Sequence, residues 1–323
     1  MAKMIKEDKY FIFDTEIKNN LKYKLHKFKT KLKAAAYKCM MNLSVPKRKT
    51  ETKYNVSICG IFKNEGLYLK EWIEFHKIVG VDHFYMYNNN SDDNFREILA
   101  PYIEEGTVTL VEWPKNQAQM EAYHDCVSQF ASETKWLGFI DIDEFVVPKS
   151  TTNIYDFLKK FEKNRPAVLI YWKMFGSSGK MNRDLKSLVT EDLTVCWSKY
   201  SNMGKCFLNT KYKIDTSSKN AGLHHLLWSK AKKIALPPVN LFGKVAFRSL
   251  NRASKKDFPI QINHYFSKTY EEYRLKKAKG DVYFKINPHD EEYFYEHEIN
   301  NSTVDYSAYK YLIQLKNKMN IKE

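Results

Sequence analysis

No stretch of about eighteen apolar residues occurs anywhere in this 323-residue chain, so the sequence predicts no membrane-spanning helix. Its first residues also carry no apolar core of a signal peptide, which sets the expectation of a cytoplasmic protein. The five cysteines, Cys39, Cys59, Cys126, Cys196 and Cys206, are odd in number, scattered and free of any C-x-x-C pair. That pattern argues against a disulfide framework and against a zinc site, and favours a reducing compartment. No internal repeat or low-complexity segment is present, and 43% hydrophobic residues with 15% aromatics exclude a disordered chain. Glycine is sparse where a phosphate-cradling loop would need it: residues 59–63 read Cys-Gly-Ile-Phe-Lys. Ser177 and Ser178 stand between two glycines but have no Ser-His-Asp spacing to go with them, so they read as a tight turn and not as a nucleophile loop.

The formal charge of +15 is unevenly placed. Residues 1–53 hold fifteen Lys and Arg against five Asp and Glu, so an appendage carries +10 and the remaining 270 residues only +5. From residue 17 on, Leu21, Leu25, Phe28, Leu32, Ala35 and Ala36 recur at spacings of three or four among Lys18, Lys22, Lys24, Lys29 and Lys33. Residues 16–43 therefore read as a basic amphipathic helix, suited either to an anionic membrane surface or to packing on the rest of the chain. Residues 44–54 read as a linker. The expected organisation is a basic helix and linker over 1–53, a catalytic domain over 54–290, and a helical tail over 291–323.

Within the domain, strand-like runs at 56–62, 82–87, 107–111 and 136–140 alternate with helical spacing at 67–79, 95–102 and 117–130, and Gly80 is placed to stop the first of these helices. A β-α-β-α-β-α-β order predicts an α/β fold with a mostly parallel sheet flanked by helices, which binds ligands at the carboxyl ends of its strands. That edge collects Asn64, Glu65, the loop with Asn89 and Asp93, and the motif Asp141-Ile142-Asp143. Alternation would put both aspartates on one side with Ile142 turned away, a geometry suited to a hard divalent ion that leaves positions open for phosphate oxygens. Asn and Asp side chains on the neighbouring loops can read a base and a ribose diol.

Four segments together resemble glycosyltransferase family 92. They are residues 56–93, with Lys63-Asn64-Glu65, Glu71-Trp72-Ile73, His76 and Gly80-Val81; residues 119–145, with Gln119, Tyr123 and the D-x-D; Trp172-Lys173-Met174-Phe175-Gly176-Ser177-Ser178-Gly179; and Asn263-His264-Tyr265-Phe266-Ser267-Lys268 with Glu271-Glu272-Tyr273 and Lys277. The resemblance covers about 220 residues in order, far more than one short motif. It implies a glycosyltransferase A fold and inverting, metal-dependent transfer of a sugar, often galactose, from a UDP-sugar donor. Lys180 stands where the family commonly has His, which puts the acceptor contacts in question. Family members in animals usually carry a membrane anchor, whereas only the basic helix stands here, pointing to a bacterial enzyme of lipooligosaccharide or capsule synthesis on the inner face of the membrane.

The resemblance also suggests roles. Asp141, Asp143 and His264 would be the metal ligands, the mixed carboxylate and imidazole set suiting Mn²⁺ better than Mg²⁺. Lys268 would meet the diphosphate, while Asn64, Glu65, Asn89 and Asp93 would contact the donor. His224 and His225 compete with His264, and Glu144 would support the aspartates from behind. Inverting transfer needs a general base, for which Glu191 and then Asp184 are the candidates. The acceptor is a saccharide or glycolipid. Two other classes stay open: a metal-dependent nucleotidyltransferase or phosphotransferase, and a basic nucleic-acid-binding protein, against which stand the confinement of basic excess to one helix and the missing recognition motif, so no nucleic acid partner is expected.

Overall fold

The computed structural model describes residues 5–7, 12–14, 19–48, 50–215, 225–247, 257–278 and 290–321. Helix α1 (Asn20–Leu43) leads into an irregular link, and Arg48 ties that link to the domain by donating to Thr210 Oγ1 at 2.9 Å. The expected alternation then appears as β1 (Tyr54–Phe62), α2 (Gly66–Ile78), β2 (His83–Asn88), α3 (Phe95–Glu104), β3 (Val108–Glu112), α4 (Gln119–Phe130) and β4 (Thr134–Phe139). Strand β1 is apolar on both faces because helices cover both, as a parallel sheet requires. Gly80 ends α2 with φ of +89°, a left-handed conformation in which a side chain would be strained, and an added Cβ would lie 2.8 Å from that of Asn153.

The remaining strands of the main sheet are β5 (Glu144–Pro148), β6 (Ala167–Met174), β7 (Gly204–Asn209), β8 (Val239–Asn240) and β9 (Ile260–His264). The order is β3-β2-β1-β4-β7-β6-β9-β5, with β8 beside β6. Strands β1 to β4 are mutually parallel, β6, β8 and β9 run the same way, and only β7 and β5 oppose them. The chain passes from the end of β4 to the start of β5 in five residue steps, a reach of at most about 18 Å. Four strand spacings in a flat sheet would need about 19 Å, so the sheet curls to bring its β5 edge back toward β4.

Gly138 of β4 is a point of close approach. A Cβ there would meet the Phe207 ring of β7 at 2.5 Å.

Two later segments close the structure, helix α5 (Tyr270–Ala278) and a C-terminal stretch of α6 (Glu291–Ile299), a strand Asn301–Val304, and α7 (Leu312–Met319). Residues 291–323 were expected as a helical tail, and the segment is helical but also woven into the domain. Its strand pairs with Val195–Trp197, Tyr311 and Leu315 enter the core, and α7 lies against α2. At Gly176 a Cβ would overlap the Asn301 amide, and Glu298 accepts from the Ser177 amide and hydroxyl. The Gly-Ser-Ser-Gly turn is thus held by the C-terminal segment.

Candidate active site

Strand β4 stops at Phe139, and residues 142–143 form a turn before β5 begins. Period-two alternation therefore does not reach the two aspartates, and their side chains lie in separate surroundings. Asp141 Oδ1 accepts from Tyr123 Oη at 2.9 Å and from Gln119 Nε2 at 3.1 Å, and Oδ2 accepts from Lys205 Nζ at 2.7 Å. Asp143 meets Lys276 Nζ at 2.5 Å through Oδ2, and its Oδ1 lies 3.7 Å from His264 Nε2.

The backbone of this acidic turn is clamped from helix α2. Trp72 Nε1 donates to the carbonyls of Asp141 and Glu144, at 3.0 and 2.9 Å. One turn on, His76 Nδ1 donates to the Trp72 carbonyl and Nε2 accepts from the Val146 amide at 3.2 Å, a pattern only the neutral ring can make. Burial pushes His76 down to about 3, which keeps it neutral. Glu71, one residue before Trp72, accepts from the amides of Val189 and Thr190 and so fixes the segment after the Gly-Ser-Ser-Gly turn. The Glu-Trp-x-x-x-His spacing thus builds a brace for the site.

Register does the rest. Strand β9 pairs His264 with Glu144, and the Tyr265 amide donates to the Asp143 carbonyl at 2.9 Å. That ladder brings His264 to Asp143 across 121 residues of chain. Just past β9, Lys268 sits with φ of +51°, 7% exposed, its ammonium 3.2 Å above the Tyr68 ring and 3.4 Å from Glu65 Oε2. Burial lowers the Lys268 pKa, with Glu65 and Asp143 opposing. Burial would raise that of Asp143, but Lys276, His264 and Lys268 outweigh it and hold the carboxyl well below its ordinary range. Glu144 has the opposite fate: burial, together with Asp141 and Asp143, pushes it well above the usual value despite Lys205. Burial would lower Lys205, yet Asp141 and Glu144 keep its ammonium above the ordinary value.

Of the residues singled out in the sequence, the structure brings Glu65, Asp143, His264 and Lys268 into one charged cluster. Asn64, Asn89 and Asp93 lie on adjacent strand-end loops, where their polar atoms brace the loops. Asn64 Oδ1 accepts from the Asp92 amide, Asn89 Nδ2 donates to the carbonyls of Trp113 and Lys115, and Asp93 Oδ2 accepts from the Gly66 amide at 2.7 Å. Glu191 and Asp184 are directed elsewhere: Glu191 pairs with Lys316 of α7 at 2.7 Å, and Asp184 accepts from the Lys186 amide. His225 accepts from the Gly204 amide, and His224 lies outside the described residues.

Two residues escaped the sequence reading. Lys205 comes from antiparallel β7, an element with no local signal pointing at the motif. Lys276 has none either: Glu272, four residues before it on α5, accepts from Tyr68 and Thr269 instead.

Among the described residues no three His, Cys, Asp or Glu side chains are arranged to hold a metal. Asp143 and His264 nevertheless fit a divalent cation as a pair. A carboxylate oxygen and an imidazole nitrogen converge at 3.7 Å, and only two protein donors leave room for phosphate oxygens. Asp141, the third residue expected at such an ion, has both its oxygens held by protein donors in this structure.

Residues 52–238 match glycosyltransferase family 92. A family 92 protein of Ricinus communis is 38% identical over 103 residues, which is 32% of this chain and 18% of that relative. A galactan beta-1,4-galactosyltransferase of Arabidopsis thaliana is 27% identical over 132 residues, 36% of this chain and 26% of its own length. The chain thus spans less than a third of the curated relatives it matches. Among solved structures, S. aureus TarS 1–349 in complex with UDP aligns over 48% of this chain and 47% of its own, at 13% identity and a TM-score of 0.34. The family match takes in β1 through β7 with the acidic turn at its centre, more than half of the sequence, and the chain belongs to glycosyltransferase family 92.

Proposed function

We propose that this chain transfers a sugar from a UDP-sugar to a saccharide or glycolipid acceptor with inversion. The observation that carries the reading is the cluster of Asp143, His264, Lys268 and Lys276 at the carboxyl edge of a mostly parallel sheet, in a chain of this family. Galactose is the favoured sugar, since three of the relatives are named galactosyltransferases.

Asp143 and His264 are the residues that would hold a Mn²⁺ or Mg²⁺ ion, which would neutralise the diphosphate leaving group. The chain supplies two cations of its own beside them. Lys276, 41% exposed, is positioned to exchange Asp143 for a phosphate oxygen when a donor enters. Lys268, nearly buried, keeps its charge fixed by Glu65 and the Tyr68 face, so it meets charge developing on the leaving oxygen without reorganising. Asn64, Asn89 and Asp93 shape the loops on which the base and ribose would rest. A carboxylate must take the acceptor proton. Glu191 is the first candidate and Asp184 the second, and Glu191 would have to release Lys316 to act. The acceptor is read as part of a bacterial lipooligosaccharide or capsule, reached from the cytoplasm by an enzyme peripheral on the inner face of the membrane.

A panel of uridine and guanosine diphosphate sugars, incubated with protein and Mn²⁺, tests this directly. The expected outcome is consumption of UDP-galactose that requires the metal and disappears in Asp143→Asn. Release of pyrophosphate from nucleoside triphosphates, with no turnover of any nucleotide sugar, would overturn it in favour of a nucleotidyltransferase.

A further inference from the structure

Helix α1 has two apolar rows, and among the described residues the domain uses only one. At about 100° per residue, Tyr23, Thr30, Ala34, Tyr37 and Met41 fall on one side, and they face the protein. Met41 is fully buried and Thr30 nearly so, Tyr37 stands edge-on to Trp228 at 5.6 Å, and Asn42 accepts from Asn164 and Arg165. Leu21, Leu25, Phe28, Leu32 and Leu43 fall within a sector of about 60° on the opposite side. They are 77, 53, 59, 56 and 81% exposed. Packing on the domain and a free apolar stripe, which amphipathicity left as alternatives, are both present on one helix.

The charges border the outer row. Lys22, Lys29 and Lys33 lie along one flank and Lys24, Lys27, Lys31 and Lys38 along the other, and residues 20–43 contain no Asp or Glu. Five large apolar side chains in line on a surface are a patch that marks an interaction site. What covers it must be apolar in the middle and anionic on both sides. A second copy of α1 would bring seven further lysines against these seven, and a nucleic acid would place phosphates over the leucines. A bilayer surface with anionic lipids satisfies both demands, with the leucines below the headgroups and the lysine stems reaching up to them. No helix among the described residues is long and apolar enough to cross a membrane, so α1 would lie in the interface plane along its length of about 36 Å.

We propose that α1 is a two-faced adaptor whose inner row docks on the domain while its outer row and lysine borders bind an anionic bilayer. This deepens the reading of an enzyme peripheral on a membrane, yet it rests on the helix alone. Vesicle binding and sugar transfer can therefore fail separately. Deleting the helix is a poor test, because Tyr37 and Met41 belong to the core.

The experiment floats the full-length protein with vesicles of phosphatidylglycerol and phosphatidylcholine, and with phosphatidylcholine alone. Binding should require the anionic lipid and weaken in high salt without vanishing, since the apolar part is not screened. The triple variant Leu25→Glu/Phe28→Glu/Leu32→Glu should bind at least about 100-fold more weakly, as three apolar anchors are replaced by charges that anionic lipid repels. Its thermal midpoint should match the parent's, because those side chains are exposed. Cys39 offers a second readout: it is exposed on the outer row, whereas the other four cysteines are buried. An environment-sensitive fluorophore on Cys39 should shift to the blue with anionic vesicles. Unchanged flotation of the triple variant, or no binding by the parent, would overturn the proposal. So would a parent dimer that the variant disperses, or retention of a duplex oligonucleotide that the variant keeps equally well.

Discussion

Two carboxylates one residue apart lead different lives in this protein. Asp141 is surrounded by fixed donors: a fully buried lysine, a buried tyrosine and a buried glutamine. Asp143 faces a half-exposed lysine, a histidine with one ring nitrogen unpartnered, and Lys268. The first environment is complete without a ligand and the second can be rearranged by one. Spacing within a motif therefore says less about a role than the elements that close around each residue.

The largest effect should come from breaking the locked side. Lys205→Met leaves the fully buried Glu144 and the partly exposed Asp141 without their cation and should cost about 3–5 kcal/mol of stability, measured by urea unfolding at neutral pH. Adding Asp141→Asn should return part of that loss. If Lys205→Met unfolds at the parent's midpoint, Asp141 is not locked and the comparison fails. Next comes the open side. Asp143→Asn should lower sugar transfer by about 100-fold or more, roughly 2.7 kcal/mol of transition-state stabilisation, and should lower the thermal midpoint at neutral pH by less than Lys205→Met does, because Lys276 can turn to water.

His264→Ala and Lys268→Ala should each lower transfer by about tenfold to thirtyfold, for different reasons. The first should raise the Mn²⁺ concentration needed. The second should reduce kcat more than it raises KM, and equal changes in both would make Lys268 a simple anchor.

The smallest effect sharpens the comparison through pH. Asp143 is held below its ordinary value of 3.8, so its stabilisation is present above 3.8 and is lost as pH falls through the folded value. Glu144 is raised above 4.5, so the folded state prefers its protonated form and stability declines as pH rises from 4.5 through the folded value. Unfolding free energies followed over this range should show Asp143→Asn removing the first slope and Glu144→Gln the second. Identical profiles for the two variants would mean that the environments do not differ as described.

Much of the architecture was written locally. The 3.6-residue spacing from Leu69 through Trp72, Ile73 and His76, and the β-branched run of β1, depend on neighbours a few positions away, and the helices and strands fall within a few residues of where those patterns put them. The acidic motif at the end of a buried strand, the Gly80 stop and the outer stripe of α1 were legible for the same reason. The partners of that motif were not. His264 reaches Asp143 through the β9–β5 register, Lys205 arrives on an antiparallel strand inserted between β4 and β6, and the curl of the sheet draws β5 toward them. These are pairings across 60 to 130 residues, fixed by backbone ladders and buried charge that leave no periodic trace in the chain. Local periodicity therefore set the elements and the place of the motif, while long-range pairing set the charge around each carboxylate, and with it what each can do.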